Sequence, residues 1–178
     1  FRQLYVNGIQ QPRARIPNEG YLRIKGFPEN DTERPFGSGT QSFEFAPGDI
    51  KPDWSNPDDV EVIVYHFWKQ HNLFIKSIDS KKNIVTFTQK ASLVFRDDFT
   101  KNGARYIIEN VFEALDQPGE WYLDKKKGKI YYYAKAGEDP DKIEVIAPFA
   151  PTLIYIWAGG RLRNAPWEYA WIPEFEHQ

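Results

Sequence analysis

The feature that most constrains this chain is the run Ile108–Tyr133, IENVFEALDQPGEWYLDKKKGKIYYY, which spells out stop, strand, turn and strand in order. Ile107, Ile108, Val111, Phe112 and Leu115 recur at helical spacing, so one short helix is expected near Glu109–Leu115, ended by Pro118-Gly119. Trp121-Tyr122-Leu123 and Ile130-Tyr131-Tyr132-Tyr133 then read as two strands. Asp124 opens the turn between them. Gly128 closes it, because only glycine takes the left-handed conformation there without a Cβ clash.

The rest of the chain is strand and loop. Leu4–Val6 turns at Asn7-Gly8, a strong hairpin pair. Tyr21–Ile24 is a further candidate strand. Five prolines and four glycines in Gly26–Asp59 imply a long irregular excursion with one small strand, Ser42–Phe45. Val60–Trp68 is the best strand. Val60, Val62, Val64, His66 and Trp68 share one face; Glu61, Ile63, Tyr65 and Phe67 share the other, so both are partly covered. Phe74–Ile78 and Ile84–Thr88 flank Asp79–Asn83 as a hairpin. Ser92–Phe95, Lys142–Ile146 and Leu153–Trp157 complete the set. The expected fold is all-β, a β-sandwich or partly open β-barrel with one short helix and long irregular loops.

At 178 residues and 16% aromatic content, the chain is long enough for one aromatic-rich core. A net charge of −2 indicates neither a nucleic-acid nor a membrane partner, and no apolar run approaches the ~20 residues of a membrane span. Cysteine is absent, which rules out disulfides and thiolate metal sites. A start at Phe1 without a signal peptide suits a processed or excised fragment.

Several segments, in order, carry a resemblance: Leu4-Tyr5-Val6-Asn7-Gly8, Arg13–Asn18, Gly48–Lys51 with Trp54, Asp58–Val62 with Trp68, Ile75–Asp79, Asn83–Phe87 and the run to Tyr133. Together they resemble the β-rich domain inserted into right-handed parallel β-helix proteins of glycoside hydrolase family 141. The resemblance covers roughly residues 2–156. It implies an inserted domain over 1–158 and an aromatic-rich tail or return segment over 159–178. It also implies a secreted parent, extracellular or periplasmic, that degrades polysaccharide. The family's catalytic acids lie on β-helix coils outside the matching region, so no catalytic residue carries over.

Side-chain chemistry agrees with a segment that is not catalytic alone. Glycosidic cleavage needs two carboxylates roughly 5–9.5 Å apart. Asp53, Asp58, Asp59, Asp97, Asp98, Glu109, Glu113 and Glu120 are available, but spacing pairs none of them across a cleft. Glu109 and Glu113, four apart, read as structural or interface-forming. His66 and His71 come together only if the strand ends between them, and two histidines alone make a poor metal site. No Gly-x-Ser-x-Gly elbow exists, since Gly37-Ser38-Gly39 lies in an irregular loop. No cofactor is expected.

Carbohydrate contact is the remaining chemistry. Sugar C–H faces stack on aromatic rings, and Trp54 and Trp68 are the best placed, with Trp167, Tyr169 and Trp171 in the tail. His66 and His71 flank Trp68. Arg13 and Arg15 would share a strand face and hold a carboxylate or sulfate, or else pair with acids of the domain or parent. Two functions compete. One is a non-catalytic domain that braces the β-helix or walls its polysaccharide groove; the other is a free-standing carbohydrate-binding module. A small glycoside hydrolase has least support. An insertion must leave and re-enter its host at one place, so Tyr5 and Ile156 are expected on neighbouring strands.

Overall fold

A computed structural model of the chain describes residues 1–28, 35–97, 102–139 and 141–148. The expected strand Leu153–Trp157, its residue Ile156 and the tail aromatics lie outside the described residues. The described strands are β1 (Leu4–Val6), β2 (Ile9–Gln11), β3 (Arg15–Ile16), β4 (Leu22–Arg23), β5 (Ser42–Glu44) and β6 (Glu61–His66). They continue as β7 (Lys69–Asp79), β8 (Ile84–Phe87), β9 (Arg105–Glu109), β10 (Trp121–Asp124), β11 (Lys129–Tyr132) and β12 (Val145–Ile146). The fold is nearly all-β, as expected.

The main sheet runs β3-β9-β6-β7-β8-β5, with β4 also on β9. β7 is shared: its first half pairs with β6 and its second half with β8. A register shift between Ile75 and Ser77 falls at the handover, the place where a bulge bends a strand most. The bent sheet wraps one apolar cluster that draws Phe43, Val62, Val64, Val85, Phe87, Tyr106 and Ile108 from four strands. A single bridge, Gly26 to Glu44, links the end of β4 to β5, so the sheet curls without closing into a barrel. A Cβ at Gly26 would meet Glu44 Oε2 at 2.5 Å, so a larger residue at that crossing displaces the exposed glutamate side chain.

A second, smaller cluster of Leu4, Val6 and Trp121 sits between the sheet β12-β1-β2 and the hairpin β10-β11. Asn7 and Gly8 both take positive φ, 49° and 74°, which is the turn geometry that matches the twist of a two-residue hairpin. Asn110 joins the two parts. It sits at φ 61°, a conformation asparagine tolerates, and uses its whole amide. Its Nδ2 donates to the Asp59 and Leu123 carbonyls at 3.3 and 3.0 Å; its Oδ1 accepts from Leu123 N and Arg13 Nε at 2.9 and 3.3 Å.

Three expectations are corrected. Ile107 and Ile108 belong to β9, opposite Ile63 and Val62, and only Phe112–Ala114 forms a helical turn, of the 3₁₀ type. Strand pairing overrides the helical spacing, and Asn110 breaks the run. Glu109 and Glu113 therefore share no helix face. Ser92–Phe95 is not a strand: Val94 and Phe95 are buried, but the pairing nearby is one bridge, Arg96 to Gly103. The strand expected to reach Trp68 instead turns at Phe67-Trp68 straight into β7.

Candidate functional site

That turn brings His66 and His71 together. Phe67 takes φ 52°, a strained value for a bulky residue, and its N–H donates to Asp97 O at 2.9 Å. Trp68 at the tip is 74% exposed, its ring edge-on to Phe67. Behind it runs a chain of hydrogen bonds whose tautomers are dictated by its ends. His66 Nδ1 lies 2.8 Å from the Val94 carbonyl and must donate, so His66 Nε2 accepts from His71 Nδ1 at 2.6 Å. His71 Nε2 then accepts from Ser92 N and Ser92 Oγ, at 3.2 and 3.0 Å. Lys69 Nζ donates to the same hydroxyl at 3.1 Å.

Both rings are held neutral. Burial lowers the His66 pKa; burial, then repulsion by His66 should that ring also take a proton, then the Lys69 charge lower that of His71 to about 4. A serine, a base and an orienting group are thus in line, as a nucleophile would need. Yet Ser92 N–H, the donor a serine nucleophile commonly spends on an oxyanion, is committed to the His71 ring. The chain of bonds works as a strut that fastens the Ser92–Val94 loop beneath the hairpin tip. Among the described residues no three His, Asp or Glu side chains gather as a metal ion would need.

The other candidates part company. Trp54 is 5% exposed and packs into the main core, so it presents no ring face for stacking, a correction to its expected role as a platform. Arg13 is also buried rather than poised on a strand face. Its Nη1 lies 3.1 Å from Glu61 Oε1 and 3.7 Å from Glu109 Oε2, with the guanidinium over the Trp121 ring. Arg15, in β3, donates to the carbonyls of Pro17 and Gly20 and borders a groove of about 380 Å³ with Asn18, Glu19 and Glu120.

Sequence reasoning missed the Glu61–Glu109 pair. The two stand directly opposite on β6 and β9. Burial, partly offset by Arg13, raises the Glu109 pKa. These are carboxylates of unlike environment, the usual mark of acid–base work, but Arg13 occupies the space a scissile bond would need. The available signal was a glutamate inside a strand whose neighbours Val60, Val62 and Ile63 are apolar.

One further cleft, of about 250 Å³, opens between the Phe112–Ala114 turn and the β10–β11 hairpin. Phe112, Tyr122 and Tyr131 line it together with Ser55, Asn56 and Asp124.

Comparison with known proteins places these features in context. The family model described as the GH141 insertion domain matches residues 1–135. Among solved structures the chain is similar to a glycoside hydrolase, at 27% identity and a TM-score of 0.65. That match covers 86% of this chain and 27% of the other, so the chain spans about a quarter of the enzyme's length. No curated protein matches.

Proposed function

Because the chain belongs to the GH141 insertion-domain family, we propose that it is a non-catalytic β-domain of a secreted, carbohydrate-active β-helix protein. Its task is to brace the host β-helix or wall its polysaccharide groove. The observation that carries this reading is the pairing of β1 with β12, Tyr5 opposite Ile146 and Val6 opposite Val145. A strand near residue 5 thus lies beside one some 140 residues later, which supports an insertion whose two junctions lie close together. The Arg13-filled gap between Glu61 and Glu109 supports the non-catalytic part. Trp68, on its strained tip, is the sequence-predicted aromatic best placed to touch polysaccharide. Within this reading residues 1–158 form the inserted unit and 159–178 the return segment.

The test is direct. The purified chain, incubated with plant and algal polysaccharides, should release no reducing sugar. Robust turnover that Glu61→Gln or Glu109→Gln abolishes would make the chain an enzyme and overturn the reading.

A further inference from the structure

We propose that the cleft between the Phe112–Ala114 turn and the β10–β11 hairpin is a subsite for one neutral pyranose unit. The choice of a sugar over another polyol rests on the reading above; the shape and polarity of the site do not.

Its apolar side is a cluster of three rings. Phe112 meets Tyr122 and Tyr131 edge-on, with centroids 5.3 and 5.5 Å apart and interplanar angles of 64° and 73°. Phe112 stays 42% exposed beside them. A partly open aromatic wall in a cleft of this size suits one ring rather than a drug-sized ligand, whose pockets usually run to roughly 300–1,000 Å³.

Its polar side holds one atom without a partner, Asn56 Oδ1, beside a hydroxyl, Tyr122 Oη, that accepts from the same amide. Asn56 Nδ2 lies 2.6 Å from Asp59 Oδ2, and an ionised carboxylate only accepts, which fixes which way the amide faces. The second Nδ2 hydrogen goes to Tyr122 Oη at 3.0 Å. Two consequences follow. Asn56 Oδ1, buried, has no donor among the described residues. Tyr122 Oη has an incoming donor, so its own hydrogen must go to some other acceptor. Burial raises the Tyr122 pKa, which keeps that hydrogen in place. An acceptor and a donor therefore stand side by side on one wall. A buried polar group left unmet weakens the fold, and a hydroxyl, which gives and takes one bond, answers both.

The charge at the rim selects a neutral ligand. Lys126 faces Asp58 at 3.6 Å and Lys127 faces Asp124 at 3.2 Å, so these rim pairs carry no net charge to favour a uronate or sulfate.

The experiment is a titration of the whole chain, followed by amide chemical shifts, with neutral tetraoses of glucose, mannose and xylose and with trigalacturonate. The expected result is millimolar binding of a neutral tetraose, with shifts centred on Phe112, Tyr122 and Tyr131. Phe112→Ala and Tyr122→Phe should each weaken it roughly tenfold while preserving the spectrum of the folded chain. Phe112 is half exposed, so its variant keeps the test valid if Tyr122→Phe folds poorly. No shift below about 20 mM, tighter binding of trigalacturonate, or binding unaffected by Phe112→Ala overturns the subsite. That failure would leave the inserted-domain reading standing, whereas hydrolysis by the chain would overturn that reading and leave the subsite.

Discussion

Deleting the Arg13 guanidinium tests whether the charge cluster under the N-terminal segment is structural. Arg13 and Glu61 side chains are each 3% exposed and meet at 3.1 Å. Arg13→Met keeps most of the aliphatic stem over Trp121 and removes the charge. Glu61 then retains Arg2, which reaches its Oε2 at 3.2 Å from a half-exposed position, while Glu109 loses its nearest cation. Breaking a buried pair by removing one partner costs about 3–5 kcal/mol. With Arg2 still in place the lower end applies, about 3 kcal/mol, a large part of the ~5–15 kcal/mol that holds a domain together. The sign with pH follows from Glu109. Burial already raises its pKa against the opposing pull of Arg13, and the substitution raises it further. A carboxyl whose folded pKa exceeds its unfolded one weakens the fold most when ionised, and the penalty fades as pH falls through the folded value. Urea unfolding followed by tryptophan fluorescence should therefore show the deficit in full near pH 7.5 and a smaller one near pH 5. Adding Glu61→Gln should restore part of it. A loss under about 1 kcal/mol at pH 7.5, or an equal loss at both pH values, refutes the reasoning.

Gly128 sits at φ 62° with nothing within 4 Å of where a Cβ would stand, so Gly128→Val should cost roughly 1–2 kcal/mol from backbone conformation alone. Thermal melting checks this, and a neutral effect would show the turn tolerates L-residues. The His66–His71 pair titrates below the ordinary value of 6.5, His71 at about 4. Lowered folded pKa values mean the unfolded chain binds protons first, so this contribution to stability is complete above about pH 6.5 and declines on acidification. Histidine ring signals followed by proton NMR should show the depressed titration, and Ser92→Ala should loosen the strut and move it upward.

Local instructions were readable in the sequence. Asn7-Gly8, Asp124–Gly128 and the alternation across Val60–His66 each act within a few residues, where turn chemistry and the two-residue period decide the outcome. The stretch 107–115 misled because the same apolar spacing serves a helix face and a strand followed by a turn. Its partner strand, β6, decides between them and lies some forty residues away. The sites depended on such distances throughout. Arg13 and Glu61 are 48 residues apart, and Asn56 and Tyr122 are 66 apart. His66 and His71 were foreseeable as a pair, but only as conditional on a turn at Phe67-Trp68, which the φ preference of phenylalanine argues against.

The β1–β12 ladder has a consequence for any chain that carries this domain. Between the two strands lie roughly 140 residues, and holding the ends of so long a flexible segment together costs on the order of 4 kcal/mol in chain entropy. Once these strands have paired, Tyr5 and Ile146 are neighbours across a single ladder, about 5 Å apart. To a host joined at these two strands, the segment between them would behave as a tight turn. Its length can change by loops and embellishments without altering the geometry at the point of entry.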